Sequence, residues 1–262
     1  MSESCCFSIT ELPCLVDHQL EGTPFVPMAV LIDQLARTLN NTIERLTDIA
    51  VKMPVMLRKN RAKTLFCHRE GNSTSLLDET GNLYASLASA TTNHAKSAPP
   101  PVQSLRLPAR TSSIGRSKLY PALMFHGPTF QADFKFYEFS AQTAVVELNG
   151  FDSDNESLGR YRSGQQIPII LADLAFQVIG LHLMAFKGIY ALPATCEMMI
   201  THDPGPVKTA LIRVFAQENG SYKLVATSVA RAILLTCDGL RFQNTSRPVE
   251  PDKKNLLESI KT

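Results

Sequence analysis

The sequence predicts an α+β fold in which one architectural unit occurs twice, each copy an antiparallel sheet wrapped around a long central helix. Three observations carry this reading. Strongly apolar helical patterns stand at residues 28–39 and 165–186. Each is followed by runs rich in β-branched residues and separated by turn signals. Between the two copies lies Ser97-Ala-Pro-Pro-Pro-Val-Gln, whose consecutive prolines join neither a helix nor a central strand.

In the first copy, Met28, Leu31, Ile32, Leu35, Ala36 and Leu39 recur at helical spacing. Pro27 suits the first turn of that helix, where its missing N–H does no harm. Strands are expected at 49–57, 64–69 and 83–92, with turns at Glu70-Gly-Asn and Glu79-Thr-Gly-Asn. The second copy offers a strand at 143–148, closed by Asn149-Gly150. Its helix at 165–186 is apolar almost all round, as expected of a helix wrapped by other elements. Strands follow at 191–201, 207–217 and 222–236, broken by Asp203-Pro-Gly-Pro and Glu218-Asn-Gly. A buried helix followed by antiparallel strands, twice over, describes two hot-dog units side by side. Their expected bounds are 1–96 and 112–246, with a proline-rich linker at 97–111. A polar, lysine-rich tail at 247–262 is expected to be mobile.

Composition narrows the function. Lys and Arg (26) nearly balance Asp and Glu (24), so no global field favours nucleic acid or an anionic membrane. No run of about 18 uncharged apolar residues occurs, which argues against a spanning helix. The start, Met-Ser-Glu-Ser-Cys-Cys, lacks the basic and apolar regions of a secretion signal. The six cysteines show no C-x-x-C spacing and read as reduced thiols in a cytoplasmic protein. There is no Gly-x-Ser-x-Gly elbow, phosphate loop or Gly-x-Gly-x-x-Gly. Cys67-His68-Arg-Glu70 lacks a partner cluster and reads as a strand ending in a charged turn; no metal site is expected.

Three segments carry chemistry. His18 follows an apolar strand end and precedes Gly22, which lets the chain turn tightly. The helix opening at Pro27 offers a positive dipole end suited to a carbonyl oxygen gaining negative charge. Taken alone, His18 reads more readily as an ordinary loop histidine. Asp173 interrupts Leu171-Ala172 and Leu174-Ala175-Phe176, where a carboxyl group must be bonded, protonated or paired. Gln177 stands one helical turn on, on the same face. The competing reading is an aspartate capping the helix start. The third segment, Tyr120-Pro-Ala-Leu-Met-Phe-His126-Gly127-Pro128-Thr-Phe130-Gln131, contains a rigid Gly-Pro turn after an aromatic–histidine pair.

In this order and spacing, His18-x3-Gly22-x4-Pro27, the His126 to Gln131 loop, and Asp173-x3-Gln177 followed by Ala191-Leu192-Pro193 resemble the dehydratase domains of polyketide synthases. The flavour is that of bacterial polyunsaturated-fatty-acid synthases. The resemblance spans about residues 7–241. It implies a double hot-dog lyase acting on a β-hydroxyacyl thioester carried on the phosphopantetheine arm of an acyl carrier protein, with no other cofactor. His18 would remove the α proton and Asp173 would protonate the departing hydroxyl. Gly22, Pro27, His126, Gly127, Pro128, Phe130 and Gln177 would shape the substrate site. Many family members carry tyrosine at the position of His126 and a His-Pro pair where this chain has Ile167-Pro168. Cyclisation or double-bond isomerisation by the same pair, or a non-catalytic acyl-binding module, are the alternatives. The implied partners are a carrier protein, other synthase components and a second copy of the chain, not nucleic acid or membrane. The basic run Arg58-Lys59-Asn-Arg61-Ala-Lys63 is either a solvated turn or a docking patch for an acidic carrier.

Overall fold

The computed structural model describes residues 3–39, 45–89, 111–202 and 206–261. The first half begins with β1 (Glu3–Phe7), a 3₁₀ turn at Pro13–Asp17, and a small hairpin of β2 (Gln19–Leu20) and β3 (Thr23–Pro24). Helix α1 (Met28–Arg37) follows, then β4 (Arg45–Val51), β5 (Lys63–Glu70), β6 (Ser73–Leu77) and β7 (Leu83–Ser89). The second half opens with β8 (Ser112–Ile114), α2 (Arg116–Ala122), β9 (Asp133–Phe139) and β10 (Thr143–Asn149). Helix α3 (Ile169–Lys187), β11 (Ile189–Thr201), β12 (Thr209–Ala216), β13 (Tyr222–Thr227), β14 (Ile233–Pro248) and α4 (Pro251–Glu258) complete it.

Each half wraps a sheet around its long helix, giving the double hot-dog arrangement. The two sheets are continuous. Their twelve strands run β1-β5-β6-β7-β4-β11-β14-β13-β12-β10-β9-β8, each antiparallel to its neighbours. The halves meet at β4 and β11, where Ile49 stands opposite Cys196 and Leu46 opposite Met199. In each half the strand at this join is the one that follows the long helix, so the repeat expected from the sequence places α1 and α3 alongside each other.

Burial follows the helical patterns. Every residue of α1 from Met28 to Ala36 is buried, and so is nearly all of α3 up to Met184. By length and composition α3 is apolar enough to cross a membrane, but 83% of its most apolar window is buried inside the protein. Gly188 ends it in the left-handed conformation (φ 67°), a cap that only glycine adopts without strain.

Four expectations need correction. The strand expected at 49–57 is β4, Arg45–Val51, and the apolar segment that delivers His18 is a 3₁₀ turn, Pro13–Asp17, rather than a strand end. The strand at 222–236 is two strands, because Ser228 to Ala232 form a tight turn in which Arg231 takes a positive φ of 68°. The tail is packed: β14 continues to Pro248, and beyond it α4 and the following turn seat Leu257 and Ile260, each 1% exposed, in the core. Sparse apolar residues in a lysine-rich stretch hid that anchoring face. The linker at 97–111 lies almost wholly outside the described residues.

A polar clamp joins the halves at the helix pair. Asp33 on α1 is fully buried and accepts hydrogen bonds from Arg37 Nε (2.6 Å), Gln166 N (2.6 Å) and Ile167 N (3.2 Å). The Tyr161 hydroxyl donates to Gln34 Oε1 at 2.6 Å, and Arg37 Nη2 donates to the carbonyls of Tyr161 and Ser163. Desolvation pushes the Asp33 carboxyl up despite Arg37, so the clamp stabilises only while complete. Asp33→Ala leaves two backbone amides and a guanidinium without their acceptor. It is expected to lower stability by about 2–4 kcal/mol, read from chemical denaturation.

Candidate active site

The site forms where the turn before α1 meets the loop after α2, against the second turn of α3. His18 pairs with His126 in a single antiparallel bridge. Asp17 secures the contact: its carbonyl accepts from Gly127 N at 2.6 Å, and its carboxylate accepts from Thr129 N (3.0 Å) and Thr129 Oγ1 (2.6 Å). A Cβ on residue 127 would stand 2.8 Å from the Asp17 Cα, so only glycine permits this approach. Pro128 then opens a 3₁₀ turn that ends at the fully buried Phe130.

His18, His126 and Asp173 are 3%, 7% and 6% exposed. His18 Nδ1 lies 2.8 Å from the Phe25 carbonyl. A carbonyl oxygen only accepts, so Nδ1 carries the proton and the neutral ring presents a bare Nε2. That Nε2 is 3.8 Å from Asp173 Oδ1, beyond hydrogen-bond length, and His126 Nε2 is 3.5 Å from Asp173 Oδ2.

Asp173 does not cap its helix. It lies one turn beyond the start of α3, where Gln165 Oε1 instead receives the Ile169 amide at 3.2 Å. Asp173 Oδ2 accepts from Gln177 Nε2 at 2.9 Å, and the same amide nitrogen donates to the Phe130 carbonyl at 2.9 Å. Gln177 Oε1 accepts from the Tyr120 hydroxyl (3.0 Å), which accepts from Ala132 N (3.0 Å). This chain fixes the amide orientation and leaves Oδ1 as the carboxyl oxygen facing His18.

The surroundings are aromatic. Phe25 packs on His18 at 4.1 Å between ring centroids, Phe125 stacks on His126 at 4.0 Å, and Phe130 meets the edge of His18 at 5.4 Å. Desolvation by this wall dominates the titration. It lowers His18 from its ordinary 6.5 to about 4, against the opposing Phe25 hydrogen bond. It raises Asp173 from 3.8 to about 7, against the Gln177 bond. Burial also holds His126 well below its ordinary value, helped by the neighbouring His18. Between the values for His18 and Asp173, His18 is a neutral base and Asp173 a neutral acid.

The sequence-predicted residues thus divide into two groups. His18, His126, Gly127, Pro128, Phe130, Asp173 and Gln177 come together. Pro27 is the buried residue at the mouth of α1. Gly22 sits in the exposed β2–β3 turn, where Glu21 (φ 52°) and Gly22 (φ 73°) reverse the chain and bring Phe25 back over His18. Its effect on the site is through the backbone. Sequence reading missed Phe25; it placed Tyr120 and Phe125 in the third segment but assigned no role to either, whereas Phe25 and Phe125 dry the site and Tyr120 holds Gln177.

No protein-family model and no curated relative matches the sequence. The fold is that of solved dehydratase domains. The dehydratase domain from the CurF module of the curacin polyketide synthase is 16% identical over 94% of this chain and 93% of its own, with a TM-score of 0.72. Two inactive mutants of the CurK dehydratase, one with a histidine changed to phenylalanine and one with an aspartate changed to asparagine, are each 15% identical with TM-scores of 0.70. Both cover 94% of this chain, and 92% and 94% of their own.

The Asp173 shift has a consequence for stability. The folded chain keeps a proton that the unfolded chain releases above about pH 4, so the contribution is full below that pH and is lost as pH rises through about 7. Asp173→Asn removes the cost of a buried charge. Its melting temperature is expected to exceed that of the parent at pH 8, by the equivalent of at most roughly 4 kcal/mol. The gap should close as pH falls toward 4.

Proposed function

We propose that this chain is a dehydratase that removes water from a β-hydroxyacyl thioester to give the α,β-unsaturated thioester. The observation that carries the proposal is the bare Nε2 of His18 facing a protonated Asp173 Oδ1 across a gap, 3.8 Å wide, inside an aromatic wall. The α proton of a thioester is weakly acidic, so its removal needs a neutral base and a stabilised enolate oxygen. His18 supplies the base. The first turn of α1, entered through Pro27, supplies the positive dipole end for the oxygen. Asp173 gives its proton to the β-hydroxyl as the carbon–oxygen bond breaks, water departs, and the electron pair from the α carbon closes the double bond. The proton taken by His18 then returns to Asp173, which restores both groups. The loss of activity on changing a histidine or an aspartate in the CurK dehydratase supports the same pairing of residue types.

The substrate is carried on the phosphopantetheine arm of an acyl carrier protein, within a polyketide-like or fatty-acid-like assembly. Support comes from the basic run. Arg58–Asn60 forms an exposed knuckle in which Lys59 and Asn60 both take φ of 55°. It is tied to the catalytic turn, since Leu57 N donates to the Pro24 carbonyl at 2.8 Å and Phe25 pairs with Met56. Among the described residues, Arg58, Lys59 and Arg61 make no ion pair. These cations therefore stand free beside the residue that orients His18, where an acidic carrier surface would bring its arm.

Incubating a β-hydroxyacyl carrier protein with the chain should give a product lighter by one water. His18→Ala and Asp173→Ala should each lower turnover by at least about a thousandfold while keeping the far-ultraviolet spectrum. The rate should fall above about pH 7 as Asp173 ionises and below about pH 4 as His18 is protonated. Unchanged mass, or a variant that keeps most of the activity, would remove the assignment. Separately, reversing Arg58, Lys59 and Arg61 to glutamate should raise KM for the carrier-bound substrate several-fold and leave a small thioester mimic unaffected. Equal effects on both substrates would exclude docking at the knuckle.

A further inference from the structure

The geometry points to a second use of this cluster: His18, His126 and Asp173 form a three-ligand site for a divalent transition metal ion of the zinc class, and its binding shuts the site to acyl substrate. One ligand atom from each residue lies within 4.8 Å of the other two. Bond lengths around zinc place neighbouring ligand atoms roughly 3.3 Å apart in a tetrahedron. The 3.8 Å and 3.5 Å separations run to different Asp173 oxygens, so the three ligand atoms, all within 4.8 Å of one another, must draw together by side-chain rotation to close on one ion.

The outer shell is in place for His18 and Asp173. Metal-bound histidines commonly donate their second ring N–H to a carbonyl, and His18 Nδ1 does so to Phe25. Asp173 is oriented by Gln177, which is itself held by Tyr120. His126 Nδ1 is buried and has no hydrogen-bond partner among the described residues, so that ring breaks no bond in turning toward an ion. Two imidazoles and one carboxylate suit zinc, cobalt or nickel and are poorly matched to magnesium or calcium. The fourth position is left for water. An ion held here fills the space between His18 Nε2 and Asp173 Oδ1. The inhibitory part of the inference therefore rests on the dehydratase reading, whereas the binding part does not.

The test uses the whole chain stripped of metal with a chelator, then titrated with Zn²⁺ or Co²⁺. One equivalent of Zn²⁺ should bind saturably and raise the melting temperature, and Co²⁺ should give the visible absorption of a low-coordinate nitrogen–oxygen site. His126→Phe, which keeps an aromatic ring against Phe125, and His18→Phe should each weaken binding at least tenfold. No saturable binding, or undiminished binding in both variants, would overturn the site. Dehydration of a small thioester mimic by the stripped protein separates the two proposals. Activity that Zn²⁺ abolishes stoichiometrically supports both, and bound Zn²⁺ that leaves activity intact overturns the inhibition. A stripped protein that is inactive yet binds Zn²⁺ through these residues keeps the metal site and removes the dehydratase.

Discussion

Desolvation of the Asp173 carboxyl is the constraint from which the rest of the site follows. A carboxyl group on the most apolar helix of the chain is tolerated only if it is neutral or fully bonded. Both conditions are partly met. Gln177 satisfies one oxygen, and the aromatic wall keeps the other protonated up to near neutrality. The same wall strips His18 and His126 of their charge, so three ionisable groups share a dry space without forming an ion pair. The hydrogen-bond chain from Ala132 through Tyr120 and Gln177 prevents Asp173 from turning away to seek solvent.

The two halves meet this constraint jointly. The first contributes the turn that presents His18, and the second contributes the loop that presents His126 and the helix that presents Asp173. Asp17 fastens turn to loop, and Asp33 fastens α1 to the segment entering α3. Two buried or half-buried carboxylates thus perform positioning, while a third is kept neutral for proton transfer. What separates them is their partners: Asp17 and Asp33 each accept bonds from backbone amides, and Asp173 accepts only from a side-chain amide.

Much of this was legible in the chain. Apolar periodicity located α1 and α3 because both bury nearly every residue, and an aspartate inside such a pattern is visible without a structure. Several strands were found where glycine or asparagine marked the turns, but β6 (Ser73–Leu77), with such a turn at each end, was not, because its five residues include three hydroxyl side chains that read as loop. Other features left no local signal. The β13–β14 turn is built from Ser-Val-Ala-Arg, with Arg231 rather than glycine in the left-handed position. Asp33 and Gln34 look like the polar side of an amphipathic helix, and their partners Gln166, Ile167 and Tyr161 come from the distant second half of the chain. The merging of two sheets into one depends on pairing β4 with β11, residues separated by more than half the sequence. Likewise, no spacing rule predicts that Phe25 and Phe125 meet, 5.5 Å apart, over the histidines.

The join of β4 to β11 also governs how the molecule behaves in company. Separate sheets would each present a long strand with unpaired amides and carbonyls, the kind of border that recruits strands from other chains. Among the described residues, fusing them leaves β1 and β8 as the borders of the main sheet, five and three residues long. Borders this short template little addition of foreign strands. The thirteen-residue β11 is paired with β14 from Ile189 to Thr201 and with β4 over Thr195 to Ile200, so its central stretch is covered on both sides by its own chain.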